Sequence, residues 1–229
     1  PYHPDFTGKV TSTSDFTLGK NDGLSANSPI KFGSEIVVPA LKTFTLNGGN
    51  LNGASFADNN KYVVNSKITI SNGARLTTWD GAYRFSDVTI PSGATCYTTF
   101  KWKKGWLFDA LNIPSDSTLQ MEVPNDNDNR RMYIGVDGGS VEGTCRIQNA
   151  ETDACDLWFS PKGEVFANGA IELTGSRASY VVLRDDAQVG SISGAQVGSV
   201  FGDGVAARTL TLKNGTTTSA IKDVAAGKN

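Results

Sequence analysis

Ile70-Ser71-Asn72-Gly73-Ala74-Arg75-Leu76 returns, class by class, as Ile90-Pro91-Ser92-Gly93-Ala94-Thr95-Cys96. A third copy is Ile113-Pro114-Ser115-Asp116-Ser117-Thr118-Leu119, and a later one is Leu183-Arg184-Asp185-Asp186-Ala187-Gln188-Val189. Weaker copies surround Gly48, Gly138, Gly163 and Gly215. Each phrase closes one apolar run, crosses a short polar turn and opens another. Gly, Asn or Asp at the turn reaches positive φ, which other residues resist. The flanking runs alternate, as in Lys67-Ile68-Thr69-Ile70, Asp87-Val88-Thr89-Ile90 and Arg208-Thr209-Leu210-Thr211-Leu212. Period two puts one face of each run inward and the other outward.

Adjacent copies are about 20 to 29 residues apart, the step of solenoids or propellers. One unit cannot bury its apolar face alone, but units stacked about 4.8 Å apart share a continuous core. About eight units give a rod about 40 Å long. Propeller blades need about 40 residues each, so the short step favours rungs. A sandwich of hairpins is the third architecture, because strand–Asn-Gly–strand is also a hairpin signal. The reading is an all-β parallel solenoid over residues 41–218. It is preceded by an N-terminal cap or irregular segment (1–40) and followed by a tail (219–229).

The composition agrees. The chain has 229 residues, of which 38% are hydrophobic, 19% are charged and 25 are Gly. That balance argues against helical bundles and coiled coils. A formal net charge of −2 argues against a general nucleic-acid or anionic-membrane binder. No apolar run approaches the length of a transmembrane helix. The start at Pro1, without Met or an apolar leader, reads as a processed product. Abundant Thr, Ser, Asn and Gly with little Lys and Glu suits a secreted or cell-surface protein.

The turn phrases, together with Leu210-Thr211-Leu212-Lys213-Asn214-Gly215-Thr216, resemble the strand repeats of bacterial autotransporter passengers and related surface β-solenoid adhesins. The resemblance covers roughly residues 40–218. It implies a right-handed parallel β-helix acting at the cell surface as a stalk, adhesin or matrix component. It carries over no catalytic residue.

The inventory for catalysis is thin. His3 is the single histidine, so a Ser-His-Asp or Cys-His site lacks a base. The phosphate-loop pattern G-x-x-x-x-G-K-[ST] does not occur. Asp185-Asp186 resembles the adjacent aspartates of some β-helical glycan hydrolases, yet it fills the slot of Asn72-Gly73, and turn chemistry accounts for it. Asp126 and Asp128, alternating with asparagines, offer hard oxygen ligands for Ca²⁺, although the EF-hand pattern fails. A solvated loop is the competing reading, and no other cofactor is indicated.

Cys145 and Cys155 are spaced to close a short loop as a disulfide. The alternative is that Cys96, Cys145 and Cys155 are reduced, buried thiols, since their spacing matches no zinc pattern. The best binding candidate is the aromatic and basic insertion at residues 97–109, which includes Phe100 to Phe108. There Trp102, Trp106 and Lys103, joined by Trp79, offer rings for sugars and a cation for acidic groups. The competing reading is that these rings cover a flank of the solenoid.

The expectation is a non-catalytic structural protein: a stalk, adhesin shaft or self-assembling fibre subunit that joins end to end. The alternatives are a carbohydrate-binding adhesin module that takes a glycan or host-surface ligand, and a glycan-cleaving β-helix enzyme.

Overall fold

The computed structural model describes residues 5–6, 9–19, 31–32, 35–47, 62–79, 82–100, 105–123, 132–150, 157–176, 179–184, 187–194, 197–202, 209–212 and 218–222. Among them there is no helix, and therefore none long and apolar enough to cross a membrane. Every strand pairing among the described residues is parallel. The chain is a β-solenoid, as its repeated phrase predicts.

A nine-stranded sheet runs, in order, through Phe16–Gly19, Thr43–Asn47, Arg75–Trp79, Thr95–Phe100, Thr118–Val123, Thr144–Asn149, Phe166–Gly175, Gln188–Ser193 and Thr209–Leu212. A 12-stranded sheet winds round the rest of the coil. It bends at a corner. Ala82–Thr89 pairs through Tyr83 and Phe85 with Gly105–Phe108, and beyond the bend through Val88 with Leu111–Ile113. Glycine is required where rungs meet at this corner. Gly139 has φ +99°, and a Cβ there would lie 2.2 Å from the Leu111 carbonyl oxygen.

The turn phrase forms the next corner along the chain. The Ala74 N–H donates to the Ser71 carbonyl at 2.9 Å, and the Ala94 N–H to that of Pro91 at 3.2 Å. Gly73 and Gly93 both take φ 72°. Neighbouring corners are tied together as well, since Asn72 Oδ1 accepts from the Thr95 N–H at 2.9 Å.

Alternation then builds the core. In the nine-stranded sheet Phe44, Leu76, Thr98, Met121, Ile147 and Leu173 form one inward column, register by register. In the other sheet Tyr83, Trp106, Ile134, Phe159 and Val181 form another. All belong to one buried cluster reaching from Ile36 to Ile192, apart from Thr98, whose methyl and hydroxyl lie within it.

The stack also extends outside the span 41–218. Lys9–Thr11 and Glu35–Val38 pair into the 12-stranded sheet, and Phe16–Gly19 into the nine-stranded one. At the other end Thr218–Lys222 pairs with Val197–Gly202. Residues before 41 thus supply rungs of the same coil. The described turns at 12–15 and 39–42 lack glycine, so the phrase does not reveal them.

Candidate functional site

The structure places the described aromatic residues of the stretch 100–108 in the core. Thr95–Phe100 and Gly105–Phe108 are consecutive strands, and Phe100, Trp106 and Phe108 all point inward. Trp106 is 1% exposed, so a sugar-stacking role for it is corrected. Its ring packs on Phe100 with centroids 3.7 Å apart, and its Nε1–H donates to Thr78 Oγ1 at 2.9 Å. Burial of so large a ring is reason enough for its presence, at about 2 kcal/mol or more. Trp79 ends the strand Arg75–Trp79, opposite Asn47. Trp102 and Lys103 lie outside the described residues, as do Asp126, Asp128, Asp185, Asp186 and His3.

The expected Cys145–Cys155 disulfide is also corrected. Cys145 is a free thiol, fully buried, and Cys155 lies outside the described residues. The cause is strand parity. In Thr144–Asn149 the side chains of Cys145, Ile147 and Asn149 face inward, so the sulfur points into the core. Cys96, Leu119 and Cys145 occupy successive rungs of one inward column. Burial pushes the Cys96 thiol up to about 12 and raises that of Cys145 as well. Both behave as small apolar residues.

The outward faces carry what chemistry the coil presents. On the nine-stranded sheet Arg75 reaches across two rungs to bind Glu122 and also meets Thr99. Its guanidinium lies over the Tyr97 ring, 4.9 Å from the centroid. Gln120 donates to Gln148 at 2.9 Å, and Arg146 pairs with Glu172 at 2.7 Å. On the other sheet Arg84 pairs with Asp109 at 2.9 Å and Lys9 with Glu35 at 3.1 Å. The Thr69 hydroxyl, at 2.6 Å, and then Lys9 hold the Glu35 carboxyl below its usual range.

A different kind of surface lies further along the 12-stranded sheet. Tyr133 pairs in register with Trp158, and Trp158 with Tyr180. Each precedes an inward residue, Ile134, Phe159 or Val181, so all three rings stand on the outer face. Ring centroids are 5.9 and 5.6 Å apart, with interplanar angles of 43° and 35°. Two residues on along the strands come Ser160 and Val182. Beyond Val182 is Arg184, which donates to Asp137 Oδ1 at 2.7 Å and to the Ser160 carbonyl at 2.9 Å. Together Tyr133, Trp158, Ser160, Val182 and Arg184 line an open groove of about 250 Å³.

No family model, curated protein or solved structure matches the chain.

The aromatic column is the surface that reading along the sequence misses. Its signal is the pairs Tyr133-Ile134, Trp158-Phe159 and Tyr180-Val181, which recur 25 and 22 residues apart. That interval falls within the rung step. The first member of each pair becomes an outward ring only once the register across the intervening loops is known.

Proposed function

We propose that this chain is a non-catalytic structural rod, the shaft of a secreted or cell-surface protein. The observation that carries this reading is the unbroken parallel stack. One core cluster threads the coil from Ile36 to Ile192, and each rung leans on the next. The outward carboxylates support it. Glu35, Asp109, Glu122, Asp137 and Glu172 each face a cation. Each pair joins one rung of the stack to another. The resemblance of the turn phrases to autotransporter passenger repeats favours export to the surface.

Among the described residues, the end strands of both sheets have a backbone partner on one side only. Ends of this kind add a further chain by backbone hydrogen bonds, and head-to-tail addition gives an open filament. Small-angle scattering with negative-stain microscopy tests the shaft. Nine rungs at about 4.8 Å predict an elongated particle at least about 40 Å along its axis. A near-spherical particle overturns the reading. The same micrographs report whether rods join end to end.

A further inference from the structure

We propose that the Tyr133–Trp158–Tyr180 column and the Arg184–Asp137 pair beside it form a binding strip for a neutral oligosaccharide lying along the solenoid axis. Three observations converge on this ligand. The first is the column itself. Three half-buried aromatic rings in consecutive rungs give a continuous apolar strip two rung intervals, about 10 Å, long. A pyranose with equatorial hydroxyls has apolar C–H faces of the same kind, so successive sugar rings can lie against successive aromatic rings.

The second is the polar edge beside the groove. Arg184 lines the groove, and Asp137, outside it, is ion-paired to Arg184 at 2.7 Å, so N–H donors and carboxylate acceptors stand together at that edge. Sugar hydroxyls both donate and accept, and such a pair serves both needs. Because the charges cancel, the pair does not select an anionic sugar. The third is the floor. Gly135, Ser160 and Val182 are the outward residues next to the rings, and all are small. They leave the groove of about 250 Å³ open between rings and ion pair. Among the described residues, the paired, polar face of the nine-stranded sheet, with its Arg75–Glu122 and Arg146–Glu172 contacts, offers no comparable apolar strip.

This inference is independent of the shaft reading. A rod without sugar affinity leaves the shaft standing, and a compact particle that binds sugar leaves the strip standing.

The test is titration of the whole chain with cellohexaose, laminarihexaose and mannohexaose, with an oligogalacturonate of the same length as the charged comparison. Binding is read by calorimetry and tryptophan fluorescence. At least one neutral hexaose should bind with a sub-millimolar Kd that changes little between low and high salt. Trp158→Ala and, separately, Tyr180→Ala should each weaken it about tenfold or more, the scale of one lost ring stack. Arg184→Gln should weaken it several-fold. Arg146→Ala, on the other sheet, should leave it unchanged. If Trp158→Ala fails to fold, Tyr180→Ala carries the test, because its ring ends the column. The proposal is overturned if no neutral hexaose binds at about 10 mM, if only the oligogalacturonate binds, or if Tyr180→Ala leaves affinity intact. It is equally overturned if the chain is a dimer in solution that Tyr180→Ala dissociates, since the strip then belongs to a second copy.

Discussion

Leu41 stands where the turn phrase elsewhere places glycine. The Lys42 N–H donates to the Pro39 carbonyl at 3.1 Å, the same bond that closes the turns at Gly73 and Gly93. Leu41 accordingly takes φ 62° and leaves its side chain 80% exposed. A leucine in this conformation costs about 1–2 kcal/mol, against about 0.5–1 kcal/mol for the extra freedom glycine loses on folding. Leu41→Gly should therefore stabilise the protein by about 0.5–1 kcal/mol, a rise in thermal midpoint of about 1–4 °C by circular dichroism. A fall would show that the exposed leucine holds something in place. Asp116 makes a second corner pH-sensitive. Its carboxylate accepts from the Gly93 N–H and from the Ser92 hydroxyl at 2.7 Å, and these bonds hold it below its ordinary value of 3.8. A depressed carboxyl stabilises the fold above its unfolded pKa, and that contribution is lost as pH falls through the folded value. Asp116→Asn should thus be less stable than wild type at pH 7. The gap should close below about pH 4 and disappear at lower pH in acid-denaturation curves. A gap that persists in acid would assign the effect to packing.

Strands take their faces from parity, and parity decides both what could be read from the sequence and what could not. The turn phrase fixes the strands on either side of it, so Ile68, Ile70, Leu76 and Val88 fall inward as their alternation predicts. After a connecting segment such as 101–104 the parity is lost, because an odd or even number of residues there exchanges the two faces. For that reason the sequence alone does not separate the inward Trp106 from the outward Trp158, although both follow such segments in the same way. Parity also places a polar group inside. Thr98 lies in the inward column between Leu76 and Met121, and its buried hydroxyl has no hydrogen-bond partner. Thr98→Val keeps the shape and the β-branch and removes the unmet group, so it should stabilise the chain by about 1 kcal/mol in urea unfolding. Unchanged or lower stability would mean that the hydroxyl is satisfied. Trp106→Ala makes the opposite change. It empties the largest inward position and strips Thr78 of its donor, at a cost of about 3–5 kcal/mol by the same measurement. A loss under about 1 kcal/mol would place the ring outside the core.

At the scale of the whole molecule, stability in a stack resides in contacts between neighbouring rungs, and the two described thiols report on it. Cys96 and Cys145 are separated in their column by Leu119 alone, and all three are fully buried. Attack on a maleimide or an aromatic disulfide requires the thiolate, and burial both hides these sulfurs and disfavours that form. In the native protein neither should react over hours. Peptide mass spectrometry separates them from Cys155. In urea below the unfolding midpoint, labelling requires the core to open at the labelled rung. Opening at either thiol's rung uncovers one side of Leu119, and loss of the Leu119 rung exposes the other thiol, so in one cooperative stack the two open together. The two should therefore label at the same rate, and that rate should fall in parallel for both in Leu41→Gly and rise for both in Trp106→Ala. Labelling of Cys96 well before Cys145 would show instead that the coil parts between these rungs. The rod would then consist of separately opening segments rather than one cooperative stack.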